Sequence, residues 1–367
     1  MSEHAVLKPV PSQKPKSDLQ CKIAFVFDFP TNEEARLGEI MTGSAGRMFH
    51  QLVEILGIGV ENCLLTYALS YKPAQENPAH FFHNRANYKA LCKTTDWRSK
   101  YSVSGFGYLT EDKEPEIERL ANELSAAQPN IIIAMGGLAL WALTGLDKVG
   151  TYRGTILNSK TLSEDIKVLP TYSPSAIVRN YDFRPVVLAD IKKALLESES
   201  KEITTIEREL WIEPTIKDLK QFYELHIRED NSDVPLSFDI ETASGDITCI
   251  GFAPSDRVAI VIPFRDDRQI LKNYWHDYDE ELQAWAWVKG VLENENITKV
   301  AQNQTYDVSW LQYKKGIRVA GLVHDTMHAQ HALQPEQQKG LGYLGSIYTN
   351  EGAWKTMATF SKSTRKE

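Results

Sequence analysis

Four carboxylates in the second half of the chain have the spacing of a site that does chemistry. In LSFDIET (Leu236–Thr242), Asp239 and Glu241 are two residues apart at the end of an apolar run. A strand alternates its side chains between faces, so both project from the same one. An isolated pair of this kind is also what solvent-facing charges at a strand end look like. About sixty residues on, VAQNQTYDVSWL (Val300–Leu311) puts Asp307 four residues after Asn303, at helical spacing with Val308 and Leu311. Asn303 can hold the turn while Asp307 points from the first helical turn toward the strand that carries Asp239. Asp325, in VHDTMHAQHAL (Val323–Leu333), precedes another helix of apolar spacing. Clustered carboxylates suit divalent-metal chemistry, because hard cations take oxygen ligands.

The elements that must position these groups can be read from periodicity. Leu236–Ile240 is the strand that delivers the acidic pair, with Ile247–Phe252 and Val258–Ile262 as antiparallel partners. Trp211–Ile212 begins a strand, Lys217–His226 and Glu280–Leu292 are helices, and Lys299–Ala301 is a further strand. The charged stretch Glu197–Glu209 marks a domain boundary. Before it, apolar runs alternate with helical ones. Strands at Ile23–Phe27, Leu64–Leu69, Ile131–Met135 and Val168–Leu169 (ending at Pro170) interleave with helices at Met48–Leu56, Glu114–Ala127, Leu138–Leu143 and Val186–Leu196, with a loop from Pro30 to Gly46. Such alternation predicts a parallel sheet covered on both faces.

The bulk properties agree with two cores. A chain of 367 residues, 42% hydrophobic and 25% charged, is too long for one ordinary core and reads as an ordinary folded protein. The net charge of -8 gives no global attraction to phosphate, so any nucleic-acid contact must be local, metal-assisted or delivered by a partner. Cys21, Cys63, Cys92 and Cys249 form no CxxC pair, which argues against a zinc ribbon, gives no disulfide framework and fits a reduced cytoplasmic setting. No apolar run is long enough to span a membrane. The expected layout is a flexible arm at 1–19, a first domain at 20–197, a linker at 198–209, a second domain at 210–356 and a polar basic tail at 357–367.

The carboxylate series, with KGLGYLGSIYT (Lys339–Thr349) and Trp354-Lys355 after it, resembles the DEDD 3′–5′ exonuclease domain of family A DNA polymerases. The resemblance implies a ribonuclease H-like mixed-sheet α/β fold and two-metal hydrolysis with two Mg²⁺ or Mn²⁺ ions at the 3′ end of single-stranded DNA. Asp239, Glu241 and Asp307 would be catalytic metal ligands, and Asp325 either a further ligand or a structural residue. Thr242, Asn303 and Tyr306 would orient the site or touch substrate. The family also uses a Tyr-x-x-x-Asp or His-x-x-x-Asp motif, yet no aspartate follows Asp325. A split gene, a truncated or interrupted reading frame, or lost catalysis would each account for that. The expectation is a poor nuclease alone, completed by a polymerase polypeptide.

The first domain resembles the uracil-DNA glycosylase superfamily, family 4 branch, through FDFP (Phe27–Pro30), TGSAGRMF (Thr42–Phe49), IIIAMGGLAL (Ile131–Leu140), RGT (Arg153–Thr155) and LPTYSPSAIVRN (Leu169–Asn180). This implies a parallel-sheet α/β/α sandwich with a degenerate pocket. Asp28 is the remaining candidate to position water. Met41 stands where a stacking phenylalanine is expected, Tyr67 where an asparagine reads uracil, and Ser173 where a histidine is expected; Ser70 stands where an iron-sulfur cysteine is expected and there is no N-terminal CxxC, so the resemblance implies no iron-sulfur cluster. The two domains together resemble the N-terminal part of a bacteriophage family A DNA polymerase, which implies action inside an infected bacterial cell. The alternatives are a catalytically silent DNA- or polymerase-binding adaptor and a repair glycosylase of altered base specificity.

Overall fold

A computed structural model describes residues 8–16, 21–103, 106–160, 165–203, 206–229 and 233–351. The first unit contains β1 (Ile23–Phe27), α1 (Asn32–Leu37), α2 (Gly43–Ile55), β2 (Leu64–Tyr67), β3 (Phe82–His83), α3 (Arg85–Thr94), β4 (Ser102–Val103), β5 (Gly107–Leu109), α4 (Glu114–Ala127), β6 (Ile131–Met135), α5 (Gly137–Thr144), α6 (Val149–Tyr152), β7 (Leu157–Asn158), β8 (Lys167–Thr171), α7 (Pro174–Arg179) and α8 (Phe183–Glu197). The main sheet has the order β2-β1-β6-β8-β7, parallel except for β7, and β3, β5 and β4 form a small antiparallel sheet.

Period-two alternation explains how the main sheet is covered. Ala24, Val26, Ile132, Ala134 and Val168 enter one core, with Ile117, Leu120 and Leu124 of α4 and the buried face of α5. Their neighbours Phe25, Phe27, Ile133, Met135 and Leu169 enter the other, with Phe49, Leu52 and Val53 of α2 and Val187 and Ile191 of α8. Every residue of β1, β6 and β8 is buried, so the sheet is the middle layer of a sandwich.

Three local expectations are corrected. The segment Pro30–Gly46 is not a continuous loop, because Thr31 and Glu34 form a capping box that starts α1. Strand β8 runs through Pro170, which lies beyond the end of β7, where a missing N–H costs no ladder bond. The described part of the N-terminal arm is ordered against β2: Gln13 bridges Leu65, and the N–H groups of Val10 and Lys16 donate to Ser70 O (2.9 Å) and Glu61 O (2.8 Å). The sheet leaves the β2 edge unpaired, and a chain beside it recovers those backbone bonds while burying Val10.

The second unit contains β9 (Glu209–Trp211), α9 (Ile216–His226), β10 (Leu236–Ala243), β11 (Asp246–Ala253), β12 (Val258–Pro263), α10 (Tyr278–Glu293), β13 (Lys299–Ala301), α11 (Gln304–Trp310), β14 (Val323–Asp325) and α12 (Thr326–Leu333). Its mixed sheet has the order β14-β13-β10-β11-β12-β9, antiparallel between β10, β11 and β12 and parallel elsewhere. Leu236, Phe238 and Ile240 pack inward with Ile250, Phe252 and Ile260 against Phe222 of α9 and Val288 and Leu292 of α10.

One boundary differs from the layout read in the sequence. Helix α13 (Leu341–Tyr348) was expected in the second domain, but from Gly342 the chain clusters with the first unit. Lys193 Nζ donates to the carbonyls of Gly154 (2.8 Å), Ser346 (2.8 Å) and Thr349 (2.5 Å). Arg153 grips Asp190 with two nitrogens and donates to Ser346 Oγ at 2.6 Å. A lysine at a helix C-terminus satisfies carbonyls that have no intrahelical donor. Trp354, Lys355 and the 357–367 tail lie outside the described residues. Replacing Val10 by Ala should lower the stability of the first unit by about 1–3 kcal/mol, read as a shifted urea midpoint. An unchanged midpoint would mean that the arm contributes no stability.

Candidate functional site

Strand β10 sets the site in the second unit. Its inward residues are buried, while Asp239 and Glu241 on the other face are exposed, as period-two geometry requires. Asp239 pairs with Gly251 and Glu241 with Cys249, and the register shifts between Glu241 and Thr242. Bulges of this kind re-aim side chains and recur beside active sites. Thr242 Oγ1 lies 2.7 Å from the hydroxyl of Tyr306, itself 45% exposed, which joins the end of β10 to α11.

Asp307 comes to the same place from α11. Strand β13 pairs with β10 only at Leu236 and Ser237, and farther along, the Ile240 N–H donates to Asp307 Oδ1 at 3.0 Å. The buried carboxyl thus sits against the backbone between Asp239 and Glu241. Burial pushes it up to about 6; the Ile240 N–H works the other way, and the negative charges of Asp239 and Asp325 add to the rise.

Asp325 is spent on backbone. Its Oδ1 accepts from Asn303 N (3.1 Å) and Met327 N (2.8 Å), and its Oδ2 from Gln304 N (2.9 Å). Burial favours the neutral acid, but these donors outweigh it and hold the carboxyl below the usual range. Asn303 has φ 58°, a left-handed conformation that asparagine tolerates, and caps α11 by position. Asp325 and Asn303 therefore fix the turn that aims Asp307.

Asp239 and Asp307 repel each other electrically, which a cation would relieve, and Glu241 shares the exposed face with Asp239. Among the described residues, no group of three His, Cys, Asp or Glu side chains is arranged to hold an ion. Sequence reading missed Cys249 opposite Glu241. Burial raises its thiol, and the charges of Glu241 and Asp239 add to this.

In the first unit the four pocket residues lie beyond the C-terminal ends of the parallel strands or at one, where open α/β sheets bind ligands. Asp28 follows β1, and its Oδ1 accepts from Leu138 N (2.8 Å) and Ala139 N (2.9 Å), so it caps α5. Burial pushes it up to about 6 against those donors and Arg179. Gly136, at φ 131°, permits the contact, since a Cβ there would meet Asp28 Oδ2 at 2.2 Å. Met41 is buried at φ 54°, and Gly46 is required because a Cβ would meet Met41 O at 1.8 Å. Tyr67 ends β2 only 1% exposed, with fully buried Glu34 among its neighbours. Burial first, and then the Glu34 charge, hold the Tyr67 hydroxyl protonated. Ser173 Oγ accepts from Ala176 N at 3.2 Å and caps α7.

Sequence comparison matches residues 15–196 to the uracil DNA glycosylase superfamily and residues 214–366 to the 3′–5′ exonuclease family. The chain therefore couples a uracil DNA glycosylase superfamily domain to a 3′–5′ exonuclease domain. The first is similar to the type-4 uracil-DNA glycosylases of Saccharolobus solfataricus, 25% identical over 50% of this chain and 75% of that protein, and Archaeoglobus fulgidus, 20% identical over 47% and 75%. Structural matches include Brucella melitensis NrnC (16% identity, TM-score 0.26, 41% of this chain and 63% of that one). Trypanosoma brucei RNase D in complex with RNA U12 matches at 18% identity and TM-score 0.31, over 42% of this chain and 52% of that one. The chain thus spans less than two thirds of either structure, and at these scores neither likeness bears on the site.

Asp307 provides a pH test. Its folded value near 6 exceeds the ordinary 3.8, so its contribution is intact below about 4 and is lost as the pH rises through 6. In chelator, Asp307→Asn should therefore gain about 1–3 kcal/mol over the parent at pH 8 and nothing near pH 4. Denaturant melts at the two values check this, and an equal gain at both would refute the electrostatic account.

Proposed function

We propose that this chain is the proofreading portion of a family A-type DNA replication machine, hydrolysing the 3′-terminal phosphodiester of single-stranded DNA. The observation that carries this reading is the carboxyl of Asp307 held by the Ile240 N–H between Asp239 and Glu241. Asp239, Glu241 and Asp307 would hold Mg²⁺ or Mn²⁺, which when bound activates water and stabilises the departing 3′ oxygen. The chain's own residues aim the site: Asp325 and Asn303 fix the α11 turn, and Thr242 and Tyr306 close its rim beside the acidic pair. A polymerase polypeptide carrying the Tyr-x-x-x-Asp motif would bring a further carboxylate to these three.

A second reading, a silent DNA- or polymerase-binding adaptor, draws support from the first unit. Its Asp28 and Ser173 oxygens cap helices, and Tyr67 is buried where a base would be read. The same observations count against base excision.

Mn²⁺-dependent shortening of a 3′-labelled single-stranded oligonucleotide should be slow for the chain alone, faster with a polymerase fragment carrying Tyr-x-x-x-Asp, and reduced at least a hundredfold by Asp239→Ala. No shortening in either condition would leave the adaptor reading. Release of free uracil from a uracil-containing duplex would contradict the assignment made for the first unit.

A further inference from the structure

We propose that Tyr306, Trp310, Tyr313 and Lys314 form a stacking platform for the nucleotides that follow a single-stranded 3′ end into the acidic site. This rests on the exonuclease reading for where the 3′ end lies. Helix α11 buries Asp307 and is followed by the buried Leu311, so its core-facing side is already assigned. Tyr306 and Tyr313 are exposed, and Trp310, which comes between them in sequence, packs partly against the core. Tyr306 touches Thr242 beside the acidic pair, its ring centroid is 6.1 Å from that of Trp310, and Tyr313 is 84% exposed.

The backbone makes this arrangement. Leu311–Lys315 is a π-helical turn, closed by Gly316 at φ 64°. Such turns insert a residue into a helix and are frequent at functional sites. Lys314 Nζ lies 5.6 Å from the Trp310 ring centroid and 5.5 Å from that of Tyr313, so one cation serves two rings. The next lysine, Lys315, pairs with Asp246 at 3.3 Å past the β10–β11 turn. Contacts at Tyr306–Thr242 and Lys315–Asp246 therefore run the aromatic face along the hairpin, away from Asp239 and Glu241.

The occupant follows from chemistry and reach. Exposed rings stack on unpaired bases without reading their sequence, and the interleaved ammonium meets the phosphates. From Tyr306 to Tyr313 is about 10 Å of helix, the rise of roughly three stacked nucleotides. In a chain of net charge -8, a lysine held between two aromatic rings beside an acidic pair provides a local, not a global, attraction to nucleic acid.

The test uses the full chain in chelator, where no hydrolysis occurs, and fluorescence anisotropy of a 5′-labelled single-stranded oligonucleotide. Tyr313→Ala should weaken binding about five- to fiftyfold, and Lys314→Gln should weaken it a few-fold while reducing the salt slope by about one. Both positions are exposed, so the fold is spared. Asp239→Ala should keep these differences. Binding by both platform variants within twofold of the parent, or no binding by the parent, overturns the platform. In Mn²⁺, a parent that degrades DNA with the same KM as Tyr313→Ala overturns it while leaving the exonuclease reading intact. A parent that binds through Tyr313 but degrades no DNA with or without the polymerase fragment refutes the exonuclease reading and keeps the platform.

Discussion

The hydrogen bond from the Ile240 N–H to Asp307 is the constraint on which the candidate site of the second unit depends. It ties α11 to β10, so the helix supplies a carboxylate where the strand presents two. The bond also commits a buried carboxylate to a place its neighbours oppose: burial and the charge of Asp239 both favour the protonated acid. Such strain persists because the turn before it is over-determined. Asp325 gathers backbone donors from both sides, and Asn303 accepts a left-handed conformation that most residues would resist.

The first unit shows the opposite use of polar groups. The strand ends of its sheet carry Asp28, Tyr67 and, one loop on, Ser173, but their polar atoms serve the fold or are buried with it. Asp28 and Ser173 hold helix N-termini, where an acceptor replaces a missing intrahelical partner. Tyr67 and Glu34 place a phenol and a carboxyl together in a buried space. The same unit has gained a surface for its own chain, where Arg153, Asp190 and Lys193 hold the segment from Gly342.

Much of this could be read in advance, and for physical reasons. Strands β1 and β6 and helix α4 agree with the apolar runs and helical spacing to the residue, because their burial leaves the period no competitor. Asp239 and Glu241 could be placed on one face from strand alternation alone. Elements set by caps and edges were less legible. Helix α1 depends on the local exchange between Thr31 and Glu34, and the N-terminal arm has no periodicity of its own because it borrows its bonds from β2.

By itself the sequence determined two α/β units and the order of the acidic residues. These depend on residue type and on spacings of two or four along the chain, which local geometry converts into faces. Only the tertiary structure decided that Asp307 meets β10 at Ile240, that Asp325 is consumed by backbone donors, and that α13 belongs with the first unit. It also decided that Lys314, in a π turn, lies beside the rings of the half-buried Trp310 and the exposed Tyr313. Each of these is a pairing between groups distant in sequence or a change of helical pitch, and neither leaves a period in the sequence from which it could be read.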